Sequence, residues 1–175
     1  MKKVVLGLFL LLLATGCAST RGSVQMASPA NEVQLARYSE IAVNVSCMSG
    51  VSLSSGDVER IDALILKHIP SECSGQFKAV NPANPGPSTL KADVLITKYD
   101  EGNAFARAML AGLGQMHIDA TVTLTDYTFG DQIAKSDVSK TFAWGGMYGG
   151  FTQIKDIEDG FATAVASSFS GKKKE

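Results

Sequence analysis

Residues that carry catalytic chemistry are scarce in this 175-residue chain, which holds two histidines and three cysteines. It has no HExxH pair, no nucleophile elbow and no phosphate-binding P-loop. Positive charge is not in excess either, because 16 Lys and Arg face 17 Asp and Glu. A chain without a basic stripe lacks the electrostatic footprint of nucleic-acid binding. We therefore expect no enzyme activity, no metal, no cofactor and no nucleic-acid partner.

Long apolar runs are also missing, apart from one at the start of the chain. Lys2 and Lys3 precede ten apolar residues, 4–13, a run too short to span a bilayer but typical of a signal peptide. Three small residues ending in Gly16 then lead to Cys17, which resembles the bacterial lipobox. The sequence predicts cleavage between Gly16 and Cys17 and acylation of Cys17. The alternative is an ordinary secretory signal with a nearby cysteine.

The residues after Cys17 indicate which membrane the lipoprotein reaches. Ala18 and Ser19 follow it, whereas an Asp at this place favours retention in the inner membrane. We expect a lipid-anchored protein of the bacterial envelope, on the outer membrane facing the periplasm. Its acyl chains would be its contact with the bilayer. Without Lys2 and Lys3, 14 basic and 17 acidic residues leave a formal charge of −3.

The mature chain divides by composition into three parts. Residues 17–32 are small and polar and predict a lipidated flexible tether. Residues 33–170 are long enough for one domain with a single core. The lysine-rich residues 171–175 predict a disordered tail.

Two cysteines remain once Cys17 is assigned to lipid. Cys47 and Cys73 are 26 residues apart, which matches neither a CxxC redox motif nor a zinc spacing. In an oxidising compartment this separation favours a disulfide that would stabilise the fold by roughly 3.5 kcal/mol. Two buried free thiols are the alternative.

Apolar periodicity predicts an α/β sandwich. Residues 115–126 alternate without error between apolar and polar side chains, as in an antiparallel strand with one covered face. Helices are expected from an N-cap at Asp57 to a stop at Pro70, and over residues 152–169. The order β-α-β-β-β-β-α predicts a mostly antiparallel sheet of about five strands with both helices on one face. The other four strands are predicted at residues 41–47, 76–80, 91–99 and 132–144.

One pair of residues could carry chemistry. His117 and Asp119 are two apart on the polar face of a predicted strand, so their side chains could bind a metal or form a base and its orienting partner. No third ligand and no nucleophile can be assigned to them. Solvent-facing strand residues are therefore the favoured interpretation.

Two glycine-rich apolar segments are the unusual feature of the chain. Residues 102–114 carry a single charge at Arg107, and residues 144–151 hold the only tryptophan. The first is either a connection packed under the sheet or an exposed patch for a partner, a second copy or a membrane. The second suits an interface as well as a core edge. The possible interaction residues are Phe105, Arg107, Met109, Leu110, Trp144, Met147, Tyr148 and Phe151.

Several of these features together resemble a known family. They are Ala92-Asp93, a glycine and arginine segment with Gly102, Arg107, Gly112 and Gly114, a strand ending in Thr125-Asp126, the turn glycine Gly130 and the glycine-rich residues 145–150. The pattern, with the last amphipathic helix, resembles the bacterial lipoproteins of the domain of unknown function 4410 family over residues 35–170. The family usually has Thr before the turn glycine, where this chain has Phe129.

The resemblance implies a small envelope lipoprotein with an α/β domain, no assigned activity and no catalytic residues to carry over. Similar-looking domains occur in accessory lipoproteins of envelope assemblies and secretion pores. We expect a non-enzymatic binding, assembly or self-associating domain, with an envelope protein or a second copy as partner. The alternative is a periplasmic small-ligand or metal-binding protein, or an enzyme, that uses His117 and Asp119.

Overall fold

The computed structural model describes residues 22–28, 32–110 and 113–170. The predicted signal peptide 1–16, the acylation site Cys17 and the tail 171–175 lie outside the described residues. Within the described part, no helix has both the length and the apolar character that a membrane crossing requires.

Six strands and two long helices form the framework of the described domain. The strands are β1 (Ser23–Ser28), β2 (Glu40–Cys47), β3 (Ala79–Val80), β4 (Thr89–Asp100), β5 (Met116–Asp126) and β6 (Gln132–Phe142). The long helices are α2 (Ser55–Glu72) and α5 (Lys155–Ser168), and the short ones are α1 (Glu32–Leu35), α3 (Ala104–Met109) and α4 (Gly146–Phe151).

The strands make one open, mixed sheet in the order β1-β6-β5-β4-β2-β3. β2 is parallel to β3 and β4, whereas β4, β5, β6 and β1 are antiparallel neighbours. The α/β class is confirmed, as is the central order of elements. The predicted five-strand sheet is corrected to six strands, because Ser23–Ser28 adds β1. Two of its five pairings are parallel, because α2 is a crossover that returns the chain parallel to β2.

The core lies between one face of the sheet and the two long helices. Strand β5 buries every second residue, as its alternation predicts. We call this covered side the inner face and the opposite, polar side the outer face. On α2 the isoleucines Ile61, Ile65 and Ile69 are fully buried, and α5 packs against both α2 and β6.

Strand β1 corrects the predicted tether. Ser23–Ser28 pairs antiparallel with β6, so the domain begins well before residue 33. Val24 and Met26 are half-buried, whereas Ser23 and Gln25 are exposed. The pairing satisfies backbone groups that β6 would otherwise leave open at the edge of the sheet.

The ends of α2 differ from the sequence expectation. The N-cap is Ser54, whose hydroxyl accepts the backbone N–H of Asp57, while the Asp57 carboxylate accepts the backbone N–H of Ser54. This reciprocal capping box makes Asp57 the third helical residue. Pro70 does not stop the helix, which continues to Glu72.

The predicted disulfide is wrong for this fold. Cys47 ends β2 and is exposed, whereas Cys73 is buried at the end of α2, where its thiol donates to the Ala166 carbonyl at 3.4 Å. Helix α2 runs back along the sheet for 18 residues, about 27 Å, before it reaches Cys73. The two thiols therefore lie at opposite ends of the sheet and do not bond to each other, since a disulfide needs Cα atoms within about 7 Å.

Candidate functional site

The two glycine-rich segments meet at one end of the sheet. Helix α3 follows β4, helix α4 follows β6, and the two short helices pack against each other. Together with the residues that flank them they form a projection that we call the apolar lobe. It comprises the described residues 101–110, 113–114 and 143–152.

Local chemistry explains why α3 forms in so short a segment. The Asn103 side chain caps it by accepting the backbone N–H of Ala106 at 2.8 Å. The chain then turns back through Gly114, whose φ of +74° suits glycine. A Cβ on Gly114 would lie 2.4 Å from the Asn103 carbonyl oxygen, so the two ends of the segment can approach only because glycine is there.

Close approach of α4 to α3 also depends on a small residue. A Cβ on Gly150 would lie 2.9 Å from the Cβ of Ala108, closer than real side chains come. Within the second glycine-rich segment, Gly146–Phe151 thus form a helix with one face packed on α3. The helix predicted over residues 152–169 is α5, which begins at Lys155, and α4 is a separate helix that ends before it.

Arg107 holds the lobe together from inside. Its Nε donates to the Gly149 carbonyl at 2.9 Å, and one Nη donates to the carbonyls of Glu101 and Gly114 at 2.7 and 2.8 Å. The other Nη donates to the Thr152 carbonyl at 3.2 Å. A guanidinium suits this task, because its rigid fork of five donors can satisfy carbonyls in several directions. Arg107 is 3% exposed, so it is a structural clamp and not a surface contact, which corrects its place in the predicted patch.

The other predicted patch residues are brought together and face solvent. Phe151 is 81% exposed and Met147 is 77% exposed, and Leu113 joins them although the sequence did not single it out. Trp144 and Tyr148 stack edge to face with ring centroids 6.0 Å apart. The exposed apolar side chains of the lobe are Phe105, Met109, Leu110, Leu113, Trp144, Met147, Tyr148 and Phe151.

The surface of the lobe carries almost no charge. In residues 102–110, 113–114 and 143–152 the one charged residue is the buried Arg107, and Glu101 stands at the base. Contiguous apolar surface of this kind marks a contact site for a protein or a membrane. Of the two predictions for residues 102–114, the exposed patch is the one that matches this geometry. Residues 111 and 112 of the segment lie outside the described residues.

The start of the described chain lies at the lobe end of the sheet. Ser23 pairs with Ser139, three residues before β6 ends and the chain enters the lobe. Gly22 donates its backbone N–H to the Gly160 carbonyl of α5 at 3.2 Å. The chain therefore enters the domain beside the lobe and runs away from it along β1.

His117 and Asp119 lie where the sequence puts them, on the outer face of β5. His117 Nδ1 is 3.0 Å from the Thr141 hydroxyl, and Asp119 accepts the Ser139 hydroxyl. Each side chain is engaged by the residue directly opposite on β6. In the part of the chain that the structure describes, no group of three or more His, Cys, Asp or Glu could hold a metal ion.

A shallow depression of about 320 Å³ adjoins Asp119 on the outer face. It is open to solvent and holds two carboxylates, Asp119 and Asp137, among hydroxyl and amide groups. Asp137 accepts the Thr121 hydroxyl at 2.9 Å, so it too is occupied by a neighbouring strand. The residues that line the depression are Ser23, Gln25, Thr97, Asp119, Ala120, Asp137, Val138 and Ser139.

Comparison with known proteins finds relatives of the fold and of the family. The family model described as "Domain of unknown function (DUF4410)" matches residues 55–146, which is more than half of the chain. No curated protein matches the sequence. The matched region runs from the start of α2 to the start of α4, so it includes Arg107 and the first segment of the lobe but only residues 143–146 of the second.

Two crystal structures of PelC dodecamers from Paraburkholderia phytofirmans share the fold. They superpose with TM-scores of 0.56 and 0.55 at 12% identity, over 87% of this chain and 99% of theirs. A Xanthomonas campestris protein of the DUF330 family aligns with a TM-score of 0.47 at 13% identity, over 86% of this chain and 91% of its own. At such identities the likeness concerns the fold alone.

Proposed function

This chain belongs to the DUF4410 family, and from that membership and the geometry of the lobe we propose a non-enzymatic envelope protein. It is anchored by lipid on Cys17, it self-associates, and its apolar lobe rests on the membrane that holds the anchor. The observation that carries this proposal is that the apolar lobe and the entry of the chain lie at the same end of the sheet.

The short stretch of chain between Cys17 and the domain favours a membrane as the surface that the lobe contacts. Cys17 stands five residues before Gly22, and a fully extended chain of that length spans at most about 18 Å. An acyl group on Cys17 would thus hold the lobe end of the domain close to the bilayer. The tether predicted over residues 17–32 is shortened to the residues before Ser23, because Ser23–Ser28 form β1.

The chemistry of the lobe favours lipid as well. Its exposed side chains are large and apolar, and Trp144 and Tyr148 are of the type that collects at membrane interfaces. A lipid anchor on a single cysteine is strengthened by a second apolar contact with the same bilayer. An uncharged lobe adds that contact without desolvating an ionised group.

Self-association is supported by the shared fold. PelC, whose fold this chain shares, is described as a dodecamer. An anchored protein with its lobes on one membrane would have every copy in the same orientation, which favours assembly in the plane of that membrane. The non-enzymatic assignment is supported by the engagement of His117 and Asp119 with neighbouring hydroxyls.

Vesicle binding tests the membrane contact of the lobe in protein that lacks the acyl anchor. A form that begins at Ala18 is mixed with vesicles of phosphatidylcholine and phosphatidylethanolamine and separated by flotation. We expect it to float with the vesicles, and the emission of the single tryptophan, Trp144, to shift to the blue as it leaves water. The double variant Met147→Ser and Phe151→Ser should lower partitioning by about tenfold or more, because each side chain contributes roughly 1.5–3 kcal/mol when buried.

A matched control lies at the far end of the sheet. Phe129 is 76% exposed in the turn between β5 and β6, so Phe129→Ser should leave vesicle binding unchanged. Equal loss with Phe129→Ser, or no flotation of the parent protein, would contradict the membrane contact. Protein extracted from membranes should in addition start at Cys17 with acyl chains attached, as read by mass spectrometry; an unmodified N-terminus there would contradict the anchor.

A further inference from the structure

The sheet ends in two open edges that complement each other. β1 forms one edge with six residues. At the other edge β3 covers only the start of β2, because it pairs with Glu40 and Ile41 alone. In the described part of the chain, no strand pairs with residues 42–47 of β2 on the side away from β4.

Neither edge carries a charged residue or a proline as protection against strand pairing. Natural edges are blunted by charged side chains, prolines, bulges or short length. β1 reads SVQMAS and residues 42–47 read AVNVSC, six residues each without a charge or a proline. The one irregularity is the register shift between Met26 and Ser28, at the far end of β1.

The backbone groups at the β2 edge point outward at alternate residues. The Ile41 carbonyl accepts Asn81 N–H, and Val43 N–H donates to the Asn81 side chain, both on the side away from β4. Met48, in contrast, donates to Ile96 of β4. By this alternation the N–H and C=O of Val45 and Cys47 face the open edge.

The polarity of the two edges allows them to pair with each other. β2 and β4 run one way, β5 the opposite way, β6 back again and β1 opposite to β6. β1 is therefore antiparallel to β2. A second copy in the same orientation, placed beside the β2 edge, would present its β1 for regular antiparallel pairing.

Side chains match along such a pairing. Val24 and Met26 lie on the inner face with Val138 and Ser136, and Val45 lies on the inner face with Val94. A register with Val24 opposite Cys47 keeps this face continuous and also sets Gln25 opposite Ser46 and Met26 opposite Val45. Apolar side chains then meet apolar ones on one face, and uncharged polar side chains meet on the other.

We propose that copies of this chain associate head to tail, with β1 of one copy pairing antiparallel to residues 42–47 of β2 in the next. The proposal rests on the self-association of the proposed function and names its interface. A heterologous contact of this kind forms a ring when its rotation closes. It also sets every apolar lobe at the same end of the assembly.

A native cysteine makes the interface testable. Cys47 would lie opposite residue 24 of the neighbour, at the Cα separation of roughly 5.5 Å that suits a disulfide. Val24→Cys in the form that begins at Ala18 should, after mild oxidation, give a ladder of cross-linked multimers on a non-reducing gel. The double variant Val24→Cys, Cys47→Ser should lose the ladder, and Gln25→Cys should not form it, because residue 25 points to the outer face.

The mass in solution separates this proposal from the one it rests on. Sedimentation of the parent protein should give an oligomer. An oligomer without Val24–Cys47 cross-links overturns the edge pairing and leaves self-association standing, whereas a monomer at all concentrations overturns both. Cross-links between two copies of Cys47 in the parent protein would also overturn it, since they indicate a two-fold contact between β2 edges.

A second variant covers the case in which Val24→Cys fails to fold. Met26→Cys combined with Val45→Cys, in a Cys47→Ser background, places a cysteine pair at the next inner-face position of the same register. It should give the same ladder, and its absence in a folded oligomer, checked by circular dichroism and sedimentation, overturns the pairing.

Discussion

Arg107 is the residue on which the apolar lobe depends. Its guanidinium donates to four backbone carbonyls that come from three separate stretches of the lobe, and it is buried. Two of those carbonyls, of Gly149 and Thr152, lie at the C-terminal end of α4, where unpaired carbonyls and the helix dipole favour a cation. No local sequence signal separates such a clamp from a solvent-exposed arginine, because its partners are backbone groups remote in sequence.

Arg107→Ala should loosen the lobe and leave the rest of the sheet folded. Buried carbonyls would lose charge-assisted hydrogen bonds, and we expect the lobe to be destabilised by about 3 kcal/mol or more. Hydrogen exchange of the amides in residues 104–109 and 146–152 should rise steeply, while β5 amides stay protected. Arg107→Lys should recover only part of the protection, since an ammonium lacks the fork that reaches carbonyls on several sides.

Lys155→Ala serves as the control, because Lys155 is exposed at the start of α5 close to the lobe. Unchanged exchange in Arg107→Ala would mean that glycine packing alone holds α3 against α4.

Asp126 organises the opposite end of the sheet. It accepts the Tyr38 hydroxyl at 2.8 Å and the backbone N–H groups of Phe129 and Thr128 at 3.0 and 2.9 Å, with Arg37 3.2 Å away. The N–H of Phe129, then the Tyr38 hydroxyl, the N–H of Thr128 and the charge of Arg37 lower the pKa of Asp126, although burial opposes them.

Because the pKa of Asp126 is lowered in the folded state, the free energy of unfolding depends on pH. The stabilisation from Asp126 is fully present above the unfolded pKa of about 3.9 and is lost as the pH falls through the lower pKa of the folded state. In urea unfolding at pH 6 and pH 3, the parent protein should therefore lose more free energy of unfolding than Asp126→Asn. The same loss of unfolding free energy in both proteins would show that Asp126 does not contribute to the pH dependence of stability.

At the scale of elements, an ion pair with a buried carboxylate and a half-buried guanidinium joins the two long helices to the sheet. Glu158 of α5 accepts two bonds from Arg60 of α2, at 2.7 and 2.8 Å, and a third from the Tyr99 hydroxyl of β4 at 2.7 Å. Glu158 is 1% exposed. Burial, and then the hydrogen bond to Glu158, raise the pKa of Tyr99 above its ordinary value. Helical periodicity alone assigns charged residues to the solvent side, so this contact is visible only in three dimensions.

Glu158→Gln should weaken the contact between α2 and α5. Removal of one partner leaves Arg60 with reduced compensation, and we expect a loss of about 3 kcal/mol in the free energy of unfolding, at the low end of such losses because Asp57 still pairs with Arg60. Tyr99→Phe should cost less alone, and the double variant should cost less than the sum of both, because they share one acceptor. Additive costs in chemical unfolding would contradict a shared network.

For the whole molecule, the fold separates two kinds of surface. The outer face of the sheet is polar and lined by paired hydroxyl and carboxylate groups such as those around Asp119 and Asp137. The lobe end is apolar, and the chain enters beside it. Under the proposed pairing of edges, copies would repeat this polarity side by side, with lobes toward one membrane and Phe129 away from it.

Features that depend on neighbouring residues can be predicted from the sequence alone. The alternation of β5, the positions of α2 and α5 and the α/β class follow from periods of two and of 3.6 residues, and the lobe residues stand out by composition. These patterns can be read without knowledge of the fold, because each shows which face of a single helix or strand is buried.

Features that depend on residues distant in the chain appear only in the tertiary fold. Ser23–Ser28 is a strand because β6 offers it an edge, although its composition resembles a linker. Cys47 and Cys73 stay apart because α2 carries the second to the other end of the sheet. The lobe exists because Arg107 reaches carbonyls up to 45 residues away along the chain. Hydrogen bonds between groups that are remote in sequence leave no period in it, so only the folded chain reveals them.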